Sequence, residues 1–284
     1  MANGIAGIDH VIVAVRDLDR ARMRWTRLGF SLSPHGRHIG QGTANYCIMF
    51  AADYLELLGV VAPDDFAHRL ESFLANREGL MAAGFALCEP AETVRAALLA
   101  CGLHPAEPRQ LGRQLELPEG TVVPRFSLIA LPPEETPGLD CFLCRHLTPE
   151  LMRRPEWLEH PNGAVGIRAV HVLVDTTAPL PAAYQRLFGL QRVTTTGAVA
   201  GIDFGRHRIV FSTPDDFLAM HPGAAVGPAF ALPGIAALDL FVRGRDETAD
   251  YLAQWQIAFD EMADGRLAVP ACEANGALLF FTEA

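Results

Sequence analysis

One order of elements recurs along the chain and limits the folds open to it. A strand is followed by an amphipathic helix, and the helix by three more strands. The first copy opens with the apolar run from Gly7 to Val15. Leu18, Ala21, Trp25 and Leu28 then share one face at helical spacing, Arg16, Arg20, Arg24 and Arg27 lie off it, and Gly29 supplies the stop. Strands are expected at 30–35, 43–50 and 54–61. The second copy reads as a strand at 80–87, a helix at 91–101 and strands at 107–117, 122–131 and 139–146. The third opens at Gly166, has a helix at 181–188 ended by Gly189, and strands at 191–196, 201–204 and 208–212. The fourth opens at Gly234, with a helix at 247–255 and strands at 257–261, 266–269 and 277–282. The openings Gly7-Ile8, Gly166-Ile167 and Gly234-Ile235 are the strongest internal likeness.

The 284 residues suit two domains of ordinary size. Between the second and third copies, Thr148 can cap a short helix begun by Pro149 and ended by Pro155, and Pro161-Asn162-Gly163 has turn chemistry. The expected division is therefore 1–147, a connecting segment 148–164, and 165–284. Trp157 and Leu158 should pack against a domain, and Trp25, Trp157 and Trp255 read as core. Half of the residues are hydrophobic, so a large core is available, and Lys+Arg 23 against Asp+Glu 33 gives a formal charge of −10. That balance argues against nucleic acid or an anionic membrane surface as the main partner. The first residues lack a basic start and an apolar stretch, and no apolar run reaches about 18 residues, so neither a secretory leader nor a spanning segment is expected. The expected location is cytoplasmic. Six cysteines are scattered through the chain, the pattern of reduced thiols. Cys141 and Cys144 form a CxxC, but on a strand residues three apart face opposite ways, so two small buried residues are expected rather than a metal site.

Two strands carry polar residues where a core should be apolar. His10 lies within the first strand, and Glu56 lies within Tyr54-Leu55-Glu56-Leu57. A carboxylate flanked by such residues must be paired, protonated or metal-bound, because burying it alone costs several kcal/mol. A histidine and a glutamate on neighbouring strands suit a metal; the bland alternatives are a core histidine bonded to a carbonyl and a glutamate paired with an arginine. His38 and Asn45 flank a glycine-rich loop. They read either as substrate contacts, with His38 able to move a proton, or as a turn whose Asn45 satisfies backbone groups. His160 reads as a turn residue.

The chain resembles the vicinal oxygen chelate superfamily, the glyoxalase-like and bleomycin-resistance-like proteins. Its most specific match is Ile8-Asp9-His10, then Arg37-His38 with Gly42-Thr43-Ala44-Asn45, then Tyr54-Leu55-Glu56-Leu57. The resemblance implies an α+β fold in which four βαβββ modules pair into two cupped domains. It implies metal ligands on the first and fourth strands of a module, where His10 and Glu56 fall. The second module departs from the glyoxalase pattern, since 80–87 has no His, Gln or Glu. His146, at the end of that module's last strand, is the candidate to complete a two-histidine, one-carboxylate set for Zn, Mn, Ni or Fe; pointing elsewhere, it would leave two protein ligands. In the second domain His171 and Asp239 lie on first strands, but the fourth strands lack an inward carboxylate, which disfavours extradiol ring cleavage. The implied function is a metal-dependent lyase or isomerase acting on a small substrate with neighbouring oxygens, in a monomer or homodimer. The alternative is a non-catalytic protein that sequesters a small molecule in the same cup.

Overall fold

The computed structural model describes residues 2–62 and 67–284. The first βαβββ unit consists of β1 (Ile5–Ala14), α1 (Leu18–Arg27), β2 (Gly36–His38), β3 (Thr43–Met49) and β4 (Tyr54–Val60). Asp17 caps α1 by accepting from the Arg20 N–H at 2.9 Å, and Ala21 and Trp25 are its buried face. Gly29 leaves the helix at φ +88°. The expected strand over 30–35 is instead an irregular approach to β2. Pro34 has no N–H for a ladder, and the segment hydrogen-bonds β3 at Ser33, whose N–H donates to the Cys47 carbonyl at 2.7 Å and whose hydroxyl accepts from the Cys47 N–H.

A helix not expected from the sequence, α2 (Ala67–Asn76), leads into the second unit and buries Leu70 and Leu74, one turn apart. That unit comprises β5 (Gly79–Leu87), α3 (Ala91–Ala100), β6 (Arg109–Leu117), a short β7 (Gly120–Val122), β8 (Arg125–Ala130) and β9 (Cys141–His146). The strands lie in the order β2-β3-β4-β1-β5-β9-β8-β6-β7, and β2 also pairs with β6, so the sheet curls round and closes on itself. Pairing β1 with β5 antiparallel, and each with its own module's last strand in parallel, puts β4, β1, β5 and β9 side by side.

The second half repeats the plan as β10 (Ala164–Leu173), α4 (Leu180–Phe188), β11 (Val193–Thr196), β12 (Val199–Asp203), β13 (Arg208–Ser212), then α5 (Pro214–Met220), β14 (Gly234–Val242), α6 (Arg245–Gln254), β15 (Asp260–Glu261), β16 (Leu267–Val269) and β17 (Leu278–Glu283). The eight strands run β11-β12-β13-β10-β14-β17-β16-β15. The architecture is thus α+β, with two curled sheets of paired βαβββ units. The segment expected to form a helix after Thr148 makes two short 3-10 turns, Pro149–Leu151 and Pro155–Trp157, because prolines at 149 and 155 leave too little uninterrupted chain for an α-helix. Trp157 is buried beneath the first sheet, as expected, and Trp25 is in the core, but Trp255 is half exposed and lies tilted against Tyr251.

One apolar core runs through both halves, with Phe85 against Phe188 at 4.8 Å and Phe30 against Phe281 at 6.4 Å between ring centroids. A buried polar node crosses the same junction. Asp53 accepts from the Ile167 N–H at 2.8 Å and from His207 Nε2 at 2.9 Å, and His207 Nδ1 accepts from the Ile8 N–H at 3.1 Å. His160 is more than a turn residue: it is buried and bridges Ser31 N–H and the Met49 carbonyl through its two ring nitrogens. Cys141 and Cys144 separate as the strand period requires, the first into the main core and the second toward the cup.

Candidate metal and substrate site

The first sheet encloses a cavity of about 430 Å³. Most of its wall is apolar, from residues such as Ile12, Leu58, Leu128 and Phe142, and one pole is polar, with His10, His38, Asn45 and Glu56 converging there. All four belong to the first module, and neighbouring strands β1, β4 and β3 hold three of them.

His10 is held by three features. The register of β1 on β5 slips between Ile8 and His10, a bulge that breaks the strict alternation of faces. The carboxylate of the preceding Asp9 can therefore reach His10 Nδ1, at 2.7 Å. The imidazole stacks on Tyr54, with centroids 4.5 Å apart and an interplanar angle of 18°. Opposite it on β5 stands Gly84, where a Cβ would lie 2.6 Å from His10 Cε1. A residue with no side chain is what allows the ring its place. With Nδ1 turned to Asp9, Nε2 is the ring nitrogen that faces the cavity.

Glu56 presents its two oxygens differently. Oε1 accepts from Asn45 Nδ2 at 2.5 Å, and Oε2 lies 3.7 Å from His10 Nε2. The Asn45 amide is oriented by Arg113, whose Nη1 donates to Oδ1 at 3.1 Å. Arg113 is itself buried, and its other contacts are the sulfurs of Cys47 and Met152, at 2.8 and 2.9 Å. Among the described residues no arginine bonds Glu56 directly, so the arginine-paired reading of this acid does not hold. Asn45 Nδ2 also faces His38 Nε2 at 3.4 Å, and His38 Nδ1 bonds Thr43 Oγ1 at 2.8 Å. Burial pushes the His38 imidazole below its ordinary pKa, against the pull of Glu56, which favours the neutral ring at pH 7. Asn45 is thus no turn residue: it is buried and bonded to two members of the cluster.

His146 lies elsewhere than at the His10–Glu56 gap. Its Nε2 bonds Asp9 Oδ2 at 3.1 Å, behind the His10 ring. Asp9 carries a buried carboxylate on the same strand as His10 that the sequence reading did not single out as a site residue. Burial pushes its carboxyl up, but the charge of His146 and the hydrogen bonds from His10 and His146 outweigh that and hold it well below the usual carboxylate range. Asp9, Cys144 and His146 offer ligand atoms within 4.8 Å of one another, a grouping that could hold a metal ion. Burial pushes the Cys144 thiol up, which disfavours the thiolate a metal would need.

The second sheet carries no counterpart of this pole. Its register sets Ala169 opposite Arg208 and His171 opposite Val210, where the first sheet sets His10 opposite Tyr54 and Ile12 opposite Glu56. Ala169 therefore takes the place of His10, and Val210 that of Glu56. His171 occupies the place of Ile12, one inward position further along. Arg168, in the place of Asp9, donates to the buried Asp239 at 2.7 Å. The cup there is filled by Phe217, Phe280 and their neighbours.

The model of a glyoxalase-like domain matches residues 8–188, well over half of the chain. No curated protein is significantly similar to it. Among solved structures, a hypothetical protein from Staphylococcus aureus superposes with a TM-score of 0.68 at 13% identity, covering 98% of this chain and 99% of its own. A mutant of 4-hydroxymandelate synthase from Streptomyces coelicolor gives 0.56 at 14% identity, over 99% and 93%. A fusion of a xylose isomerase-like TIM barrel with 4-hydroxyphenylpyruvate dioxygenase gives 0.54 at 13%, over 100% of this chain and 49% of that one. At such identities the likeness is one of fold alone. The family match, the four βαβββ units and their paired, curled sheets agree: the chain belongs to the glyoxalase-like domain family and has the vicinal oxygen chelate fold.

Proposed function

We propose that the chain is a metal-dependent enzyme of glyoxalase type, an isomerase or lyase, acting on a substrate with neighbouring oxygens. His10 and Glu56 would hold one divalent ion of Zn, Mn, Ni or Fe. One observation carries the reading: His10 Nε2 and Glu56 Oε2 face each other across 3.7 Å at the cavity's polar pole, His10 fixed from behind by Asp9. Two lone pairs so placed need a cation or a proton between them, and 3.7 Å suits two ligands with bonds of roughly 2.0–2.2 Å to one ion. A carboxylate behind a histidine ligand fixes the ring and raises its basicity.

When bound, the ion supplies Lewis acidity toward the substrate's paired oxygens. The protein's own groups do the rest. Asn45 occupies Glu56 Oε1 and so directs Oε2 toward the pole. The neutral His38, 3.7 Å from Glu56 Oε1, is the group to take and return a proton at the adjacent carbon. The apolar side chains around the pole lower the local dielectric and strengthen these interactions. Adding each metal to metal-free protein should raise its melting temperature, by about 2.7 kcal/mol of stability at a hundred times the Kd. His10→Ala and Glu56→Ala should abolish that rise.

One observation favours a second reading, sequestration of a small ligand without turnover. His146 is engaged by Asp9, so the described protein ligands at the pole number two. A wild-type protein that binds no divalent ion would decide for that reading.

A further inference from the structure

The cup does not end at its apolar wall. Beside it lies a second cavity of about 450 Å³, and the two share Arg69, Met81 and Asp140 in their walls. The second cavity is a groove between the halves of the chain, bounded by Phe73 and Arg77 on one side and by Pro233, Gly234 and Ile235 on the other. Arg69 and Asp140, which line both cavities, form an ion pair at the shared wall.

The groove's other cation, Arg77, has no carboxylate partner among the described residues. Its guanidinium lies between two rings, 4.5 Å from the centroid of Phe73 and 5.0 Å from that of Phe230, and donates once, to the Leu80 carbonyl at 3.2 Å. Both terminal nitrogens are bordered by bare glycine backbone: a Cβ on Gly79 would come within 3.0 Å of Nη1, and one on Gly234 within 3.4 Å of Nη2. In a chain of formal charge −10, an arginine half-withdrawn from water with spare N–H groups and no anion is an unfilled valence. The distance to the reactive pole follows from β5. Leu80, whose carbonyl Arg77 bonds, and Gly84, on which the His10 ring rests, are four residues apart, about 13 Å at roughly 3.3 Å per residue.

Resting on the reading of His10 and Glu56 as the reactive pole, we infer that the substrate is an amphipathic carboxylic acid. Its oxygenated end lies at that pole, its apolar body along the cup, and its carboxylate on Arg77 in the groove. A carboxylate suits Arg77 better than a phosphate dianion, since the site offers one guanidinium with one of its N–H groups already used. The Arg69–Asp140 pair is then the gate through which the body passes.

The test uses decanoate and 1-decanol, whose length suits the span, with metal-free full-length protein and calorimetric titration. Decanoate should bind about tenfold more tightly than decanol, the worth of one charge-assisted hydrogen bond. Arg77→Met should remove that preference and leave decanol affinity unchanged, Arg77→Lys should retain part of it, and Met81→Trp, which fills the shared wall, should abolish binding of both. Equal affinity for acid and alcohol would overturn the inference. So would an acid preference that survives Arg77→Met, or decanoate binding that survives Met81→Trp. None of these readouts needs a metal, so failure of the metal site and failure of the carboxylate site are separable.

Discussion

Replacing Gly84 by alanine tests how the polar pole is built. On an extended strand Gly→Ala ordinarily stabilises, by about 0.4–1 kcal/mol, because it restricts the unfolded chain. Here the added Cβ would stand 2.6 Å from His10 Cε1 and 2.8 Å from Nδ1. Neither backbone can yield cheaply, since β1 and β5 pair along most of their length and β4 and β9 flank them. The ring must therefore leave its stack on Tyr54 and its bond to Asp9. A hydrogen bond to a charged group contributes about 1.5–3 kcal/mol, so a net destabilisation of about 2 kcal/mol is expected. For a protein of this size that is a fall in Tm of roughly 3 °C. Gly227→Ala is the control: the nearest atom to its added Cβ is 4.0 Å away, and its φ is not in the left-handed region. Thermal unfolding followed by circular dichroism reads both variants. A Gly84→Ala protein as stable as the Gly227→Ala control, with its metal response intact, would refute the claim that this glycine makes room for the His10 ring.

Two further substitutions probe the rest of the molecule. His171 is buried with neither ring nitrogen hydrogen-bonded, and burial pushes its pKa down to about 3, with His221 and Arg266 adding to the effect. Its folded pKa lies below its unfolded one, so the unfolded chain binds the extra proton and stability falls as pH drops from about 6.5 toward 3; at pH 5 the loss from this group is about 2 kcal/mol. His171→Phe should shrink the difference in urea-unfolding free energy between pH 7 and pH 5 by that amount, and an unchanged difference would count against the burial argument. Asp53→Ala leaves the Ile167 N–H and His207 Nε2 without their shared acceptor at the junction of the two halves. A loss of about 3–5 kcal/mol is expected, seen by calorimetry as a lower and less cooperative transition.

The repeat was legible because each module announces itself locally. Strand runs, the helical face of Leu18, Ala21 and Trp25, and glycines at 29 and 189 need no distant partner to be read. The helices α2 and α5 were not legible, since their apolar faces are short and make sense only against the cups they cover. His10 and Glu56 were readable as a pair because an acid and a histidine inside apolar strands must be accounted for; His38 and Asn45 were readable only as the flanks of a glycine-rich loop, and the structure gathers all four at one pole. Asp9 was missed because strict alternation turns it away from His10, and only the bulge brings its carboxylate back. His146 shares a face with Phe142 and Cys144 by period two, but sequence spacing does not say that Asp9 stands between it and the pole. Gly84 and Arg113 carried no signal of their own: one acts through the side chain it lacks, the other through a hydrogen bond to Asn45 across 68 positions of chain.

The most direct test of the metal assignment is crystallographic. Crystals grown with Mn(II) and measured at wavelengths on either side of the manganese edge should show one anomalous peak within bonding distance of both His10 Nε2 and Glu56 Oε2. A peak among Asp9, Cys144 and His146 instead, or no peak at saturating Mn(II), would contradict the assignment.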